Sequence, residues 1–251
     1  MRLVILYTIA RPLKSPILRF LDRRSRKRAG APRPILYFFR PGGYNDRRMK
    51  QKDGVGGMQK KLFLCGPSGC GKTTMIRAAL GQKLAEAGGF VTERRVDGDG
   101  RVLGFDLLPA AAAAGIEGFT PLRFLDYTAE SPRRDNEVFR DEAVRLLQEA
   151  EYYPFAVLDE IGGFELVIPQ FRAQLASFLS SPVPCVGVLK APAGVEELRE
   201  RFGLGEKYTA LARRLRAALD EDPDTLVLDI SGRGDERAER ALREWAACFA
   251  R

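Results

Sequence analysis

Residues Gly66–Thr74 read GPSGCGKTT and follow directly on the run KLFLC, Lys61–Cys65. So short an apolar run suits a strand buried on both faces, and from Lys72 the spacing of Ile76, Leu80 and Leu84 predicts a helix with one apolar stripe. Strand, glycine loop and helix in that order match the Walker A pattern, Gly66-x4-Gly71-Lys72-Thr73. Gly66, Pro67, Ser68, Gly69, Cys70, Gly71, Lys72, Thr73 and Thr74 are therefore the expected nucleotide-binding set. Glycines let backbone N–H groups turn inward on the α- and β-phosphates, Lys72 would reach the β- and γ-phosphates, and the Thr73 hydroxyl would coordinate Mg²⁺. The positive end of the helix dipole would add to the same field.

Such a loop needs an acidic partner at the end of another buried strand. PFAVLDE, residues 154–160, supplies one. Asp159 is the expected Walker B carboxylate, holding Mg²⁺ with Thr73, and Glu160 beside it can polarise a water for in-line attack on the γ-phosphate. Glu160 and Lys72 are the expected catalytic pair. Glu165 is the next candidate base, because a second carboxylate follows closely in DEIGGFE.

The remaining elements follow from period and punctuation. GFVTERRV and RVLGFDLL flank Asp97-Gly98-Asp99-Gly100 and read as a hairpin. The Ala-rich stretch 110–114 carries no signal. A helix is expected from about Asp135, with Phe139, Ala143, Leu146 and Ala150 on one side, and another over Pro169–Leu179. VPCVGVLK reads as a buried strand, 194–219 as helical, TLVLDIS as a strand, and Ala238, Leu242, Trp245 and Phe249 as the core face of a last helix. Strands alternating with helices predict an α/β fold, a mostly parallel sheet flanked by helices. A further strand is expected between the Walker A and Walker B strands, together with the β-hairpin insertion.

Charge is distributed unevenly over the 251 residues. The net charge is +8, yet residues 1–57 carry 15 Lys/Arg against 3 Asp/Glu, which leaves 58–251 net acidic. Residues 1–57 are expected to be a disordered basic arm or a mis-assigned start, and 58–251 the catalytic domain; nucleic-acid binding by the latter gains no support. Pro, Gly and Arg interrupt every apolar run of the arm, so no membrane span is expected. The four cysteines show no metal-ligand spacing, which favours reduced thiols and a cytoplasmic location. Histidine is absent, which removes imidazole bases and triads and leaves carboxylates, Lys, Arg and a hard metal ion to carry any catalysis.

Taken together, GPSGCGKTT, the hairpin elements Gly89, Phe90, Thr92, Glu93, Arg101, Gly104 and Phe105, and the DEIG-x-x-E stretch, Asp159–Gly162 with Glu165, resemble the small P-loop nucleoside-triphosphatases of the thermophile and human cancer-related type. That resemblance covers the chain from about Gln59 onward. It implies slow, Mg²⁺-dependent hydrolysis of ATP, GTP, CTP and UTP to diphosphate and phosphate. Phe164 stands where the family usually has Met, and the hairpin carries one extra residue near its turn. Which of Arg94, Arg95 and Arg101 faces the nucleotide stays open, as does a phosphate-sensing role for Lys190.

Two other readings use the same loop. A nucleotide or small-molecule kinase could use Arg133, Arg134 and Arg140 as lid cations, although a water-activating Glu160 is a liability where water must be excluded. Alternatively, nucleotide-dependent shape could recruit a protein partner, with hydrolysis as the reset. No NKxD or TKxD base reader is present, so loose base selection is expected.

Overall fold

The computed structural model describes residues 58–250; the expectation of a basic arm over 1–57 lies outside them. Strand β1 (Lys61–Gly66) leads through the glycine loop into helix α1 (Lys72–Leu80). Gly81 ends that helix with φ 55°, so Leu84 enters the core from a 3₁₀ turn, Gly81–Glu86, instead of a continued α-helix. Next come β2 (Ala87–Val96), β3 (Val102–Pro109), β4 (Leu122–Asp126) and the two-residue β5 (Arg133–Arg134). A π-helical stretch, Val138–Ala143, runs into α2 (Val144–Glu149), followed by β6 (Phe155–Ile161), α3 (Pro169–Leu179) and β7 (Cys185–Lys190). Helices α4 (Pro192–Arg201) and α5 (Glu206–Glu221), strand β8 (Thr225–Asp229) and helix α6 (Glu236–Phe249) complete the order.

Among the described residues eight strands form one sheet in the order β5-β4-β3-β2-β6-β7-β1-β8. The pairs β8–β1, β1–β7, β7–β6 and β6–β2 are parallel, whereas β2–β3, β3–β4 and β4–β5 are antiparallel. β7 lies between the Walker A and Walker B strands. The hairpin is continuous with the main sheet: Ala87–Phe90 of β2 pair with Phe155–Leu158 of β6, while the rest of β2 runs on beside β3. Gly89 has φ 84°, and a Cβ there would run into the Val157 carbonyl, so only glycine permits this join.

Alternation along β1 explains its continuous apolar run. Leu62 and Leu64 face the cluster with Met75, Ile76, Leu242 and Trp245, while Phe63 and Cys65 face the opposite cluster with Leu175, Leu211 and Leu215. Both faces are covered by helices. On the second face the Phe139 ring meets those of Phe90, Phe124, Phe164 and Phe171 edge-on or nearly so, at centroid separations of 6.3, 5.0, 5.4 and 5.2 Å. Such pairs contribute roughly 0.5–1.5 kcal/mol each beyond area burial. They bind β2, β4, α3 and the turn after β6 into one block, which fixes the hairpin relative to the Walker B carboxylates.

Candidate active site

The glycine loop leaves the C-terminal end of β1, where β7 and β8 flank it. Gly69 and Gly71 take φ 76° and 95°, left-handed values that L side chains adopt only with strain. Lys72, 6% exposed, donates from Nζ to the carbonyls of Gly66 at 2.8 Å and Pro67 at 2.7 Å. Its ammonium is thereby tethered across the loop. Thr73 Oγ1 donates to the Asp159 carboxylate oxygens at 3.0 and 3.1 Å. No acidic side chain occupies the first turn of α1, so its positive dipole end is not neutralised locally.

Asp159 comes from β6, one register step before a bulge. It pairs with Val188 and Ile161 pairs with Leu189, which leaves Glu160 as the extra residue. A bulge re-aims a side chain, and here both carboxylates line the same cleft. Burial raises the Asp159 pKa to about 7, with the Glu160 charge adding to the shift and the Thr73 hydrogen bond, Arg77 and Lys72 opposing it. Glu160 Oε2 lies 3.0 Å from Lys190 Nζ at the end of β7. The polar residue suspected at that strand end therefore holds the expected base.

Glu165 has a different environment from Glu160. It is buried, and its Oε1 accepts from the backbone N–H groups of Gly162 and Gly163, each at 2.8 Å; the Tyr208 hydroxyl donates to the Gly162 carbonyl at 3.3 Å. The second carboxylate of DEIG-x-x-E thus braces the turn that carries Asp159 and Glu160. Burial lifts its pKa to about 7 against these hydrogen bonds and the Lys190 charge. Because the folded value exceeds the ordinary 4.5, native Glu165 keeps a proton that the unfolded chain has already released between the two. Its protonation therefore stabilises the fold fully below the unfolded value, and that contribution is lost as pH rises through about 7. Urea unfolding should show the wild type losing stability relative to Glu165→Gln between about pH 5 and pH 8. A difference independent of pH would mean that Glu165 ionises as freely in the fold as outside it.

The cleft has a volume of about 790 Å³ and runs from the loop beneath the hairpin. Of the three hairpin arginines left open by sequence, Arg94 lines it; Arg95 pairs with Asp106 at 3.6 Å, and Arg101 is not among the lining residues. Arg77, Lys190, Arg201 and Arg233 also line it. Arg77 reaches Glu93 at 3.5 Å, and its Nε is buried with no hydrogen-bond partner among the described residues. Sequence reasoning missed Arg77, Arg201 and Arg233. The glycine-flanked SGRG after β8 was a usable signal for Arg233, whereas Arg201 looks like an ordinary helix-surface charge. Of the suspected lid cations, Arg133 and Arg140 are exposed, and Arg140 pairs with Glu137 at 3.2 Å and Asp141 at 3.0 Å. Arg134 lies over the Phe164 ring, 5.9 Å from its centroid.

Among the described residues no group of three or more acidic, Cys or His side chains forms a metal cage. One hydroxyl touching one buried carboxylate, beside a phosphate loop, nevertheless fits Mg²⁺, which keeps waters and takes phosphate oxygens as its remaining ligands. Among the same residues no helix is long and apolar enough to cross a membrane. Cys65 and Cys185 are buried free thiols.

The NTPase family model matches residues 61–222. Cancer-related nucleoside-triphosphatase from Homo sapiens is 31% identical over 168 residues, spanning 57% of this chain and 85% of that protein. Its homolog from Mus musculus is 30% identical over the same length and shares of the two chains. The crystal structure of THEP1 from the hyperthermophile Aquifex aeolicus is similar at a TM-score of 0.48 and 20% identity, covering 76% of this chain and 99% of that one.

Proposed function

The chain belongs to the NTPase family, and from that premise we propose that it hydrolyses nucleoside triphosphates to diphosphate and phosphate, slowly, with Mg²⁺ and with loose base selection. One observation carries the mechanism: Glu160 stands outside the strand ladder, opens on the phosphate-loop cleft and is held by Lys190 at 3.0 Å. Loop N–H groups would bind the phosphates, and Lys72 would exchange the Gly66 and Pro67 carbonyls for phosphate oxygens. Thr73 and Asp159 would hold Mg²⁺, whose contribution there is to neutralise charge on the phosphates. Glu160 would orient the attacking water and accept its proton on a carboxylate oxygen as the water oxygen bonds to the γ-phosphorus and the bond to the bridging oxygen breaks. Lys190 would keep the carboxylate aimed and ionised until then.

The recognisable contacts address phosphate and metal, which supports loose base selection. Phosphate release from ATP, GTP, CTP and UTP should give kcat/KM values within roughly a hundredfold of one another, about 2.7 kcal/mol of discrimination. A wider spread would contradict the reading, as would transfer to an added nucleoside monophosphate that outpaces hydrolysis. The surface pairing of Arg140 weighs against the kinase alternative.

A further inference from the structure

Strand β2 outruns its parallel partner. Its pairing with β6 stops at Phe90, opposite Leu158, and Arg94 stands four residues further along, about 13 Å of extended chain. Hairpin register places Arg94 directly opposite Phe105, and its guanidinium lies over that ring, 5.9 Å from the centroid. Contact through the ring face steadies the group while leaving its N–H edges free. One edge donates to Ser68 Oγ in the phosphate loop at 3.3 Å.

Most of the neighbouring cations are committed elsewhere: Arg95 pairs with Asp106, Arg77 with Glu93, Lys190 with Glu160 and Arg201 with Glu197. Arg233 packs its side chain beside Gly71 at the helix end of the loop, whereas Arg94 reaches the loop at Ser68. Arg94 is exposed and forms no ion pair with any described residue, yet it lines the same cleft as Lys72, Thr73, Asp159 and Glu160. A positively charged planar fork resting on a loop hydroxyl can exchange that weak neutral contact for a phosphate at little cost, whereas a fork bound to a carboxylate would first have to break an ion pair.

We propose that Arg94 is a catalytic residue, an arginine carried by the hairpin of the same chain that leaves Ser68 and contacts the γ-phosphoryl oxygens as the transition state forms. The role rests on the hydrolytic reading above. As the γ-phosphorus parts from the bridging oxygen and joins the water oxygen, negative charge builds on the departing oxygen. Two parallel N–H donors can span that oxygen and a γ-oxygen, a geometry that a lysine ammonium does not supply. The hairpin's length is thereby explained, since it carries the guanidinium past the end of the Walker B pairing to the crown of the loop.

The test uses the full chain as wild type, Arg94→Ala and Arg94→Lys, with Arg101→Ala as a hairpin control. Three quantities are measured: single-turnover ATP hydrolysis, Kd for a non-hydrolysable ATP analogue, and Kd for ADP with aluminium fluoride, which imitates the planar transferring phosphoryl group. Arg94→Ala should slow hydrolysis roughly thirtyfold to a hundredfold and weaken the aluminium fluoride complex by the same factor, while analogue affinity moves less than about threefold. Arg94→Lys should recover less than about a tenth of the lost rate, and Arg101→Ala should behave as wild type. Equal weakening of both ligands would make Arg94 an ordinary binding residue and overturn the role. A wild type that hydrolyses ATP, with Arg94→Ala matching it, would overturn this role alone. A wild type that hydrolyses no triphosphate would overturn the proposed function and this role with it.

Discussion

Replacing Glu160 by glutamine should lower single-turnover hydrolysis by roughly a hundredfold to a thousandfold while Mg²⁺-nucleotide affinity stays within about threefold of wild type. Glutamine keeps the shape and one acceptor oxygen but cannot take a proton from water at neutral pH. The substitution also weakens the contact with Lys190, so a structural explanation for lost activity has to be weighed. Glu160 is 28% and Lys190 16% exposed as side chains, and a partly buried charged contact of this kind contributes roughly 1–3 kcal/mol to folding. That is too little to unfold a domain stabilised by roughly 5–15 kcal/mol. Single-turnover kinetics, nucleotide titration and urea unfolding on one preparation separate the effects. Unchanged single-turnover rates would remove Glu160 from the chemistry, and lost Mg²⁺-nucleotide binding would move it into the metal site.

Lys72→Ala should act on binding and rate together, reducing kcat/KM by about a thousandfold or more and nucleotide affinity by at least about tenfold. In the proposed role its charge would meet the β- and γ-phosphates in the ground state as well as the transition state, so part of its effect would be uniform binding. The ammonium is held by two loop carbonyls, at 2.8 and 2.7 Å, and Lys72 is 6% exposed. Its side chain is thereby confined to the loop, which lowers the entropic cost of using it. Removing it leaves both loop carbonyls without that donor and the phosphates without a nearby compensating charge. Isothermal titration with ATP and with ADP checks the assignment. An Ala variant that binds ATP as tightly as wild type would show that the loop N–H groups and the helix end carry the phosphates by themselves.

The elements legible in the sequence were those whose signal is local. β1, the glycine loop and α1 follow from an apolar run, two obligatory left-handed glycines and a helical stripe within twenty residues. α3 begins and ends at Pro169 and Leu179, as periodicity and the N-terminal proline predict. The hairpin was readable because a DG-type turn and two apolar runs sit side by side, and the meeting of Thr73 with Asp159 because both belong to motifs of fixed spacing. β4 and β5 escaped for the opposite reason. Leu122–Asp126 is a short, partly exposed strand, and Arg133–Arg134 has no apolar residue at all; β4 pairs on the free edge of β3, and β5 in turn on the free edge of β4. Likewise, the helical region after β7 divides into α4 and α5 where Gly203 turns left-handed, at φ 57°.

Tertiary structure alone decided what meets in the cleft. Lys190 touches Glu160 because β7 inserts between β1 and β6, and Arg233 reaches the loop because β8 pairs with β1 on its other side. Arg94, rather than Arg95 or Arg101, faces the site because the register sets it opposite Phe105 while Arg95 is drawn to Asp106. Composition around Arg94, Arg95 and Arg101 holds no trace of that choice. A backbone's dihedral needs and side-chain period are set within a few neighbours, so they can be read locally. Strand order and register are instead set by burying both sheet faces at once, a condition on the whole chain that no short stretch expresses.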